Sequence, residues 1–122
     1  MTVLWVAAGG AIGASLRYLV GRGADRFGAE GFWGTAVVNV LGAFVLGFVL
    51  MAFAPEDDQQ RRWFLFLTTG VLGGFTTFST WMAESAALWT DGRAWVAVAN
   101  LAIPLVAGLV GMAAGITLGA RV

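Results

Sequence analysis

Cysteine and histidine are both absent from this 122-residue chain, and its seven basic residues are all arginine. Without cysteine there can be no disulfide, thiolate nucleophile or zinc–thiolate site. Without histidine the usual general base and the commonest transition-metal ligand are missing too. Charge is scarce: 11% of residues are Asp, Glu, Lys or Arg and the net charge is zero, against roughly 25% charged residues in a soluble domain. No basic stretch points to nucleic acid. The N-terminus has no positive segment ahead of its apolar run, and further runs follow, so it reads as a first span rather than a cleaved signal peptide.

Apolar sequence is what the chain has in abundance. Hydrophobic residues make up 59% of it and the mean hydropathy is +0.82. The 18 glycines are too many for a soluble bundle, yet suit closely packed membrane helices. A spanning helix needs about 20 largely apolar residues. Four runs qualify, at about 3–20, 33–53, 63–89 and 94–118. Between them lie a polar connector at 21–32, the acidic and basic stretch Ala54–Arg62, and the turn Thr90–Arg93. Asp57 and Asp58 read as a solvated loop. The runs are too long, and alternate too little, for strands. The expectation is an all-α membrane protein: one domain over residues 1–122, with four transmembrane helices.

Four spans put both termini on one side. The connector side then holds Arg22, Arg26 and Arg93, with Arg17 just inside, and the other holds Arg61, Arg62, Arg121 and the amino terminus. That balance gives no firm orientation by the positive-inside rule. One reading is a weak bias settled on insertion. The other is insertion both ways round, which lets two copies form an antiparallel dimer.

The third span carries the unusual chemistry. Gly73-Gly74 sits near its middle, among Thr68, Thr69, Thr76, Thr77, Ser79 and Thr80. Glycine weakens a helix by about 1 kcal/mol per residue, and Thr and Ser compete for backbone hydrogen bonds. A break is expected between Gly73 and Thr77, near the bilayer midplane. Non-helical backbone at that depth must be buried in protein or line a wet cavity. A break frees carbonyls on the first half, which suit a cation, and amides on the second, which favour an anion. For each residue singly, tight packing through small side chains is the competing reading.

The other spans add polar stripes. Thr35, Asn39, Gly42, Ala43 and Gly47 share a face of the second, where the Asn39 amide either ties helices together or meets an anion. Gly9, Gly13, Arg17 and Gly21 share a face of the first. Arg17 and Glu84 are expected in the same leaflet, as a pair or with Arg17 snorkelling to the interface.

Three segments together resemble one family. Gly10-Ala-Ile-Gly13-Ala14-Ser-Leu-Arg17-Tyr18, Gly34-Thr35-Ala-Val-Val-Asn39-Val-Leu-Gly42-Ala-Phe44 and Gly70-Val-Leu-Gly73-Gly74-Phe-Thr76-Thr77-Phe78-Ser79-Thr80 are similar to the Fluc/CrcB fluoride channels in order and spacing. The resemblance implies an antiparallel dual-topology homodimer in the bacterial inner membrane. It would have two passive fluoride-selective pores, through which fluoride trapped in the cytoplasm leaves. It places Asn39, Phe78 and Trp81 in the pore, with Thr77, Ser79 and Thr80 beside them, and Gly74 within the motif. It also implies a central structural Na+ held by backbone carbonyls of Gly73 and Thr76. Two departures stand out: Trp81 where the family has a second phenylalanine, and Asn100, Pro104 and Gly108 where the fourth helix usually carries a tyrosine and serines. These would fit one half of a heterodimer with a paralogous subunit. An indole still offers a ring edge and an N–H, Asn100 can still donate, and Pro104 should kink its helix.

Two other classes compete. A proton-coupled exporter of small cations would need an ionisable group deep in the membrane, and Glu84 is well off-centre. A structural subunit without transport of its own is the third reading. An enzyme is the least favoured, because no nucleophile, base and orienter can be assembled.

Overall fold

The computed structural model describes residues 1–28 and 30–122. Among these there is helix and no strand. Three helices are long and apolar enough to cross a membrane unaided: α1 (Thr2–Arg26), α2 (Gly31–Ala52) and α6 (Ala94–Gly119). The remaining rod is built in pieces. It comprises α3 (Asp58–Leu65), a π-helical stretch (Phe66–Leu72), the single turn α4 (Gly73–Phe75) and, after an interruption at Thr76 and Thr77, α5 (Phe78–Thr90).

Local chemistry explains most of the boundaries. Phe53 turns extended before Ala54-Pro55, where proline disfavours helix in the residue ahead of it. Asp57 then caps α3 by accepting from Gln60 N at 2.7 Å, while Gln60 Oε1 accepts from Glu56 N at 2.9 Å. This reciprocal arrangement is close to a capping box, so Asp57 is a cap and Asp58 is helical, rather than solvated loop. The third rod thereby starts five residues before the apolar run. After α5, Gly92 takes a positive φ of 76° and Arg93 N donates to Leu88 O at 2.9 Å, the hydrogen bond of a left-handed helix stop. The connector expected from residue 21 onward is instead helical as far as Arg26. Its polar residues can stay solvated on a helix that continues past the lipid.

Backbones approach closely along two seams. On one, α1 lies against the π-helical stretch and α4: a Cβ at Gly9 or Gly13 would strike backbone of Phe66 or Val71, and one at Gly74 would strike Gly10 O. On the other, α2 lies along α6, the most extensive helix pair in the chain. Here Gly115 and Gly119 leave room for the carbonyls of Phe44 and Phe48. Small residues at four-residue spacing are how helices associate in lipid, where no hydrophobic force draws them together. The exposed face is correspondingly apolar, with Val3, Leu4, Ile103, Val106 and Leu109 all more than half exposed. A bilayer can solvate that face and water cannot.

Candidate functional site

The interruption lies at Thr76 and Thr77, and the glycine pair does not make it. Gly73 and Gly74 are helical, and Gly74 gives α4 its close approach to α1. The chain leaves the helix at Thr76 (φ −81°, ψ 158°) and Thr77 (φ −152°, ψ 121°). What holds it there is Asn39 of α2. Its Nδ2 donates to Thr77 O at 2.9 Å, and its Oδ1 accepts from Thr77 N at 2.8 Å. The side-chain amide thus pairs both backbone groups of one residue, as a neighbouring strand would.

Two consequences follow from the direction of these bonds. In an unbroken helix Thr77 N would donate to Gly73 O; here it serves Asn39. Thr80 N would donate to Thr76 O; here it donates to Thr77 Oγ1, the cap of α5, at 3.3 Å. The carbonyls of Gly73 and Thr76 have therefore lost their helical donors. On the other side, the amides of Phe78 and Ser79 open α5 and have no acceptor within their helix. Acceptor oxygens and donor amides lie on opposite sides of the interruption.

Two cavities meet at Thr77. One of about 440 Å³ has charged and hydroxyl residues on its wall, Arg17, Tyr18, Arg22, Asp25, Thr35, Thr77, Thr80 and Glu84, among glycine and apolar neighbours. A largely apolar one of about 330 Å³ is lined by Asn39, Thr76, Thr77, Phe78, Trp81, Pro104 and Gly108, with neighbours. Thr77 Oγ1 donates to Thr80 Oγ1 at 3.1 Å and stands 3.4 Å from Ser79 Oγ, so hydroxyls run from the shared wall along α5. Phe78 is 70% exposed and meets Trp81 at 86° with centroids 6.0 Å apart.

A family model described as CrcB-like protein, Camphor Resistance (CrcB), matches residues 4–116. The chain belongs to the CrcB family. Curated relatives carry the name fluoride-specific ion channel FluC. The one from Agrobacterium fabrum is 38% identical over 98% of this chain and 96% of its own length. Those from Cereibacter sphaeroides and Geobacter sulfurreducens are each 40% identical, over 93% and 94% of this chain and 90% and 94% of their own lengths.

The fold brings some of the residues singled out in the sequence together and parts others. Asn39, Phe78, Trp81, Thr76 and Thr77 converge on one cavity. Arg17 and Glu84 do line one cavity but form no ion pair; the described residues contain one salt bridge, Arg93–Glu30. Glu84 Oε1 instead accepts from Thr35 Oγ1 at 2.7 Å, and its Oε2 is buried with no partner among the described residues. The two departures from the family pattern meet in the fold, and Asn100 does donate. The Trp81 N–H is engaged by Asn100 O at 2.6 Å, and the Asn100 amide donates to Ser85 Oγ at 2.9 Å. Pro104 lies inside α6, with helix on both sides of it.

Outside the membrane, Arg93 grips Glu30 through two hydrogen bonds of 2.7 and 2.8 Å, linking the start of α2 to that of α6. This guanidinium holds the Glu30 carboxyl below the usual carboxylate range. Sequence reasoning passed over Thr35 as a partner for Glu84, and over Ser85 altogether. A hydroxyl four residues after Trp81 was the available signal.

Proposed function

We propose that the chain is a passive, fluoride-selective anion channel of the bacterial inner membrane, through which cytoplasmic fluoride leaves the cell. The observation that carries this reading is the Asn39-held interruption, in a chain whose curated relatives are named as fluoride channels. The start of α5 turns its amides and dipole toward the interruption, which favours an anion. The hydroxyls of Thr77, Ser79 and Thr80, the second Nδ2 hydrogen of Asn39 and the positive ring edges of Phe78 and Trp81 supply the remaining contacts. Arg17, in the larger of the two cavities, raises the local concentration of anions, and Glu84 on the same wall is held back by Thr35. The task is conduction, so the chain is a transporter and not an enzyme.

The working unit is an antiparallel homodimer with two pores. Gly73, Ser79 and Thr80 are exposed on the single chain at a depth where lipid offers no hydrogen bonds, and an inverted second copy would cover them. The near-even arginines on the two sides agree with insertion both ways round. A structural Na+ fits at the same place. The Gly73 and Thr76 carbonyls lack helical donors, and no cluster of His, Cys, Asp or Glu competes for a metal among the described residues. Hard oxygen donors suit a small hard cation. These carbonyls and those of the second copy would hold it and fix the two interruptions face to face.

Expression in a fluoride-sensitive bacterium is the test. The chain should restore growth in fluoride, and single cysteines placed at residue 2 or 91 should each label from both sides of the membrane. Failure to restore growth with protein present in the membrane would remove the channel, and labelling from one side only would remove dual insertion.

A further inference from the structure

We propose that Trp81, Asn100 and Pro104 form a clasp that positions the Trp81 indole, and through it Phe78, in the wall of the cavity at the interruption. This rests on the channel reading above. In a helix, Asn100 O would accept the N–H four residues on. That residue is Pro104, which has none, so a carbonyl in a buried stretch of α6 is left without its helical donor. Leaving such an acceptor unpaired is costly in any interior and more so inside a bilayer. The indole Nε1–H of Trp81 takes the vacated position at 2.6 Å.

The indole is fixed from the other side as well. Asn100, 5% exposed, donates from Nδ2 to Ser85 Oγ at 2.9 Å, and Ser85 Oγ donates to Trp81 O at 2.8 Å. One residue of α6 thus binds both the side chain of Trp81 and, through Ser85, its backbone. The indole then sets the edge-to-face contact with Phe78. A phenylalanine at 81 could fill the space but could not reach the carbonyl. A non-proline residue at 104 would supply its own N–H and make the indole dispensable to α6. Tryptophan at 81 and proline at 104 each account for the other.

A double-mutant cycle with two readouts tests this. Purified Trp81→Phe, Pro104→Ala and the double variant are compared for thermal unfolding in detergent and for fluoride efflux from liposomes. Trp81→Phe strands Asn100 O and should lower Tm by about 5 °C. In the Pro104→Ala background the new backbone N–H at position 104 closes onto Asn100 O, and the loss should shrink to less than half. Fluoride efflux should stay roughly tenfold down in both Trp81→Phe proteins. Phenylalanine is the residue of the family pattern, but here it has neither a bond to Asn100 O nor the family's fourth-helix tyrosine and serines beside it, so the ring is unanchored in either background. Restored stability without restored flux separates positioning from mere packing. Additive Tm changes, or Trp81→Phe proteins that conduct at the unsubstituted rate, would overturn the clasp. An unsubstituted protein that moves no fluoride would remove the channel reading instead, and the stability cycle would still decide whether the clasp exists.

Discussion

Replacing Asn39 with leucine keeps the branched shape and the four side-chain heavy atoms, at a somewhat larger volume, and deletes both hydrogen bonds that hold Thr77 out of the helix. Thr77 is 9% exposed, so its N–H and C=O cannot simply turn to water. Interhelical hydrogen bonds in bilayers are worth about 0.6 kcal/mol on average, which sets a floor of about 1 kcal/mol for the two. Two buried groups left fully unpaired would cost about 2–6 kcal/mol. The upper range applies while both groups stay unpaired, and the lower once they find other partners within the chain. The cheapest escape is for Thr77 N to return to Gly73 O, which needs Thr76 ψ to swing from 158° to about −42°, its helical value. That would heal the interruption and abolish the route. Asn39→Leu should therefore lose Tm or gain helix, and in either case lose fluoride flux, as read by thermal unfolding, circular dichroism and a fluoride electrode on liposomes. An Asn39→Leu protein with unchanged melting and unchanged flux would refute the reasoning.

Further outcomes follow from other contacts. Thr77→Val removes the hydroxyl that caps α5 through Thr80 N and should cost about 1 kcal/mol in thermal unfolding, with lower flux. Gly115→Ala places a methyl against Phe44 O and should destabilise by about 1–3 kcal/mol, whereas Gly108→Ala meets open space within α6 and should stabilise by about 0.5–1 kcal/mol. The lowered pKa of Glu30 means that the folded state favours its carboxylate. Its contribution is present above the usual glutamate value of about 4.3 and is lost as pH falls through the lower folded value. Melting below pH 4 should accordingly fall more in the unsubstituted protein than in Arg93→Ala. As a passive anion pore the protein should move no small organic or inorganic cation in response to a pH gradient across liposomes, which a proton-coupled cation exporter would do.

Three long apolar helices and the neighbourhood of the break were legible because hydropathy and helix-weakening residues are local properties. The cause of the break was not. Gly73-Gly74 weakens a helix on its own, yet packing against α1 keeps it helical, and the decisive partner, Asn39, lies 38 residues away. The π-helical stretch over Phe66–Leu72 was missed for a similar reason: it accompanies the close seam with Gly9 and Gly13, which no single segment reveals. Arg17 and Glu84, expected in one leaflet, line one cavity. Their pairing failed because Thr35, on the intervening helix, reaches the carboxylate. Trp81 and Pro104 looked like two unrelated departures from a family pattern, and only the fold joins them through one carbonyl.

The central claim is that the interruption at Thr76–Thr77 conducts fluoride. Efflux of fluoride and of chloride from liposomes holding the purified, folded chain tests it most directly. The account predicts rapid fluoride release with chloride retained, and loss of that release in Asn39→Leu; release no faster than from protein-free vesicles, or equal release of both anions, would contradict it.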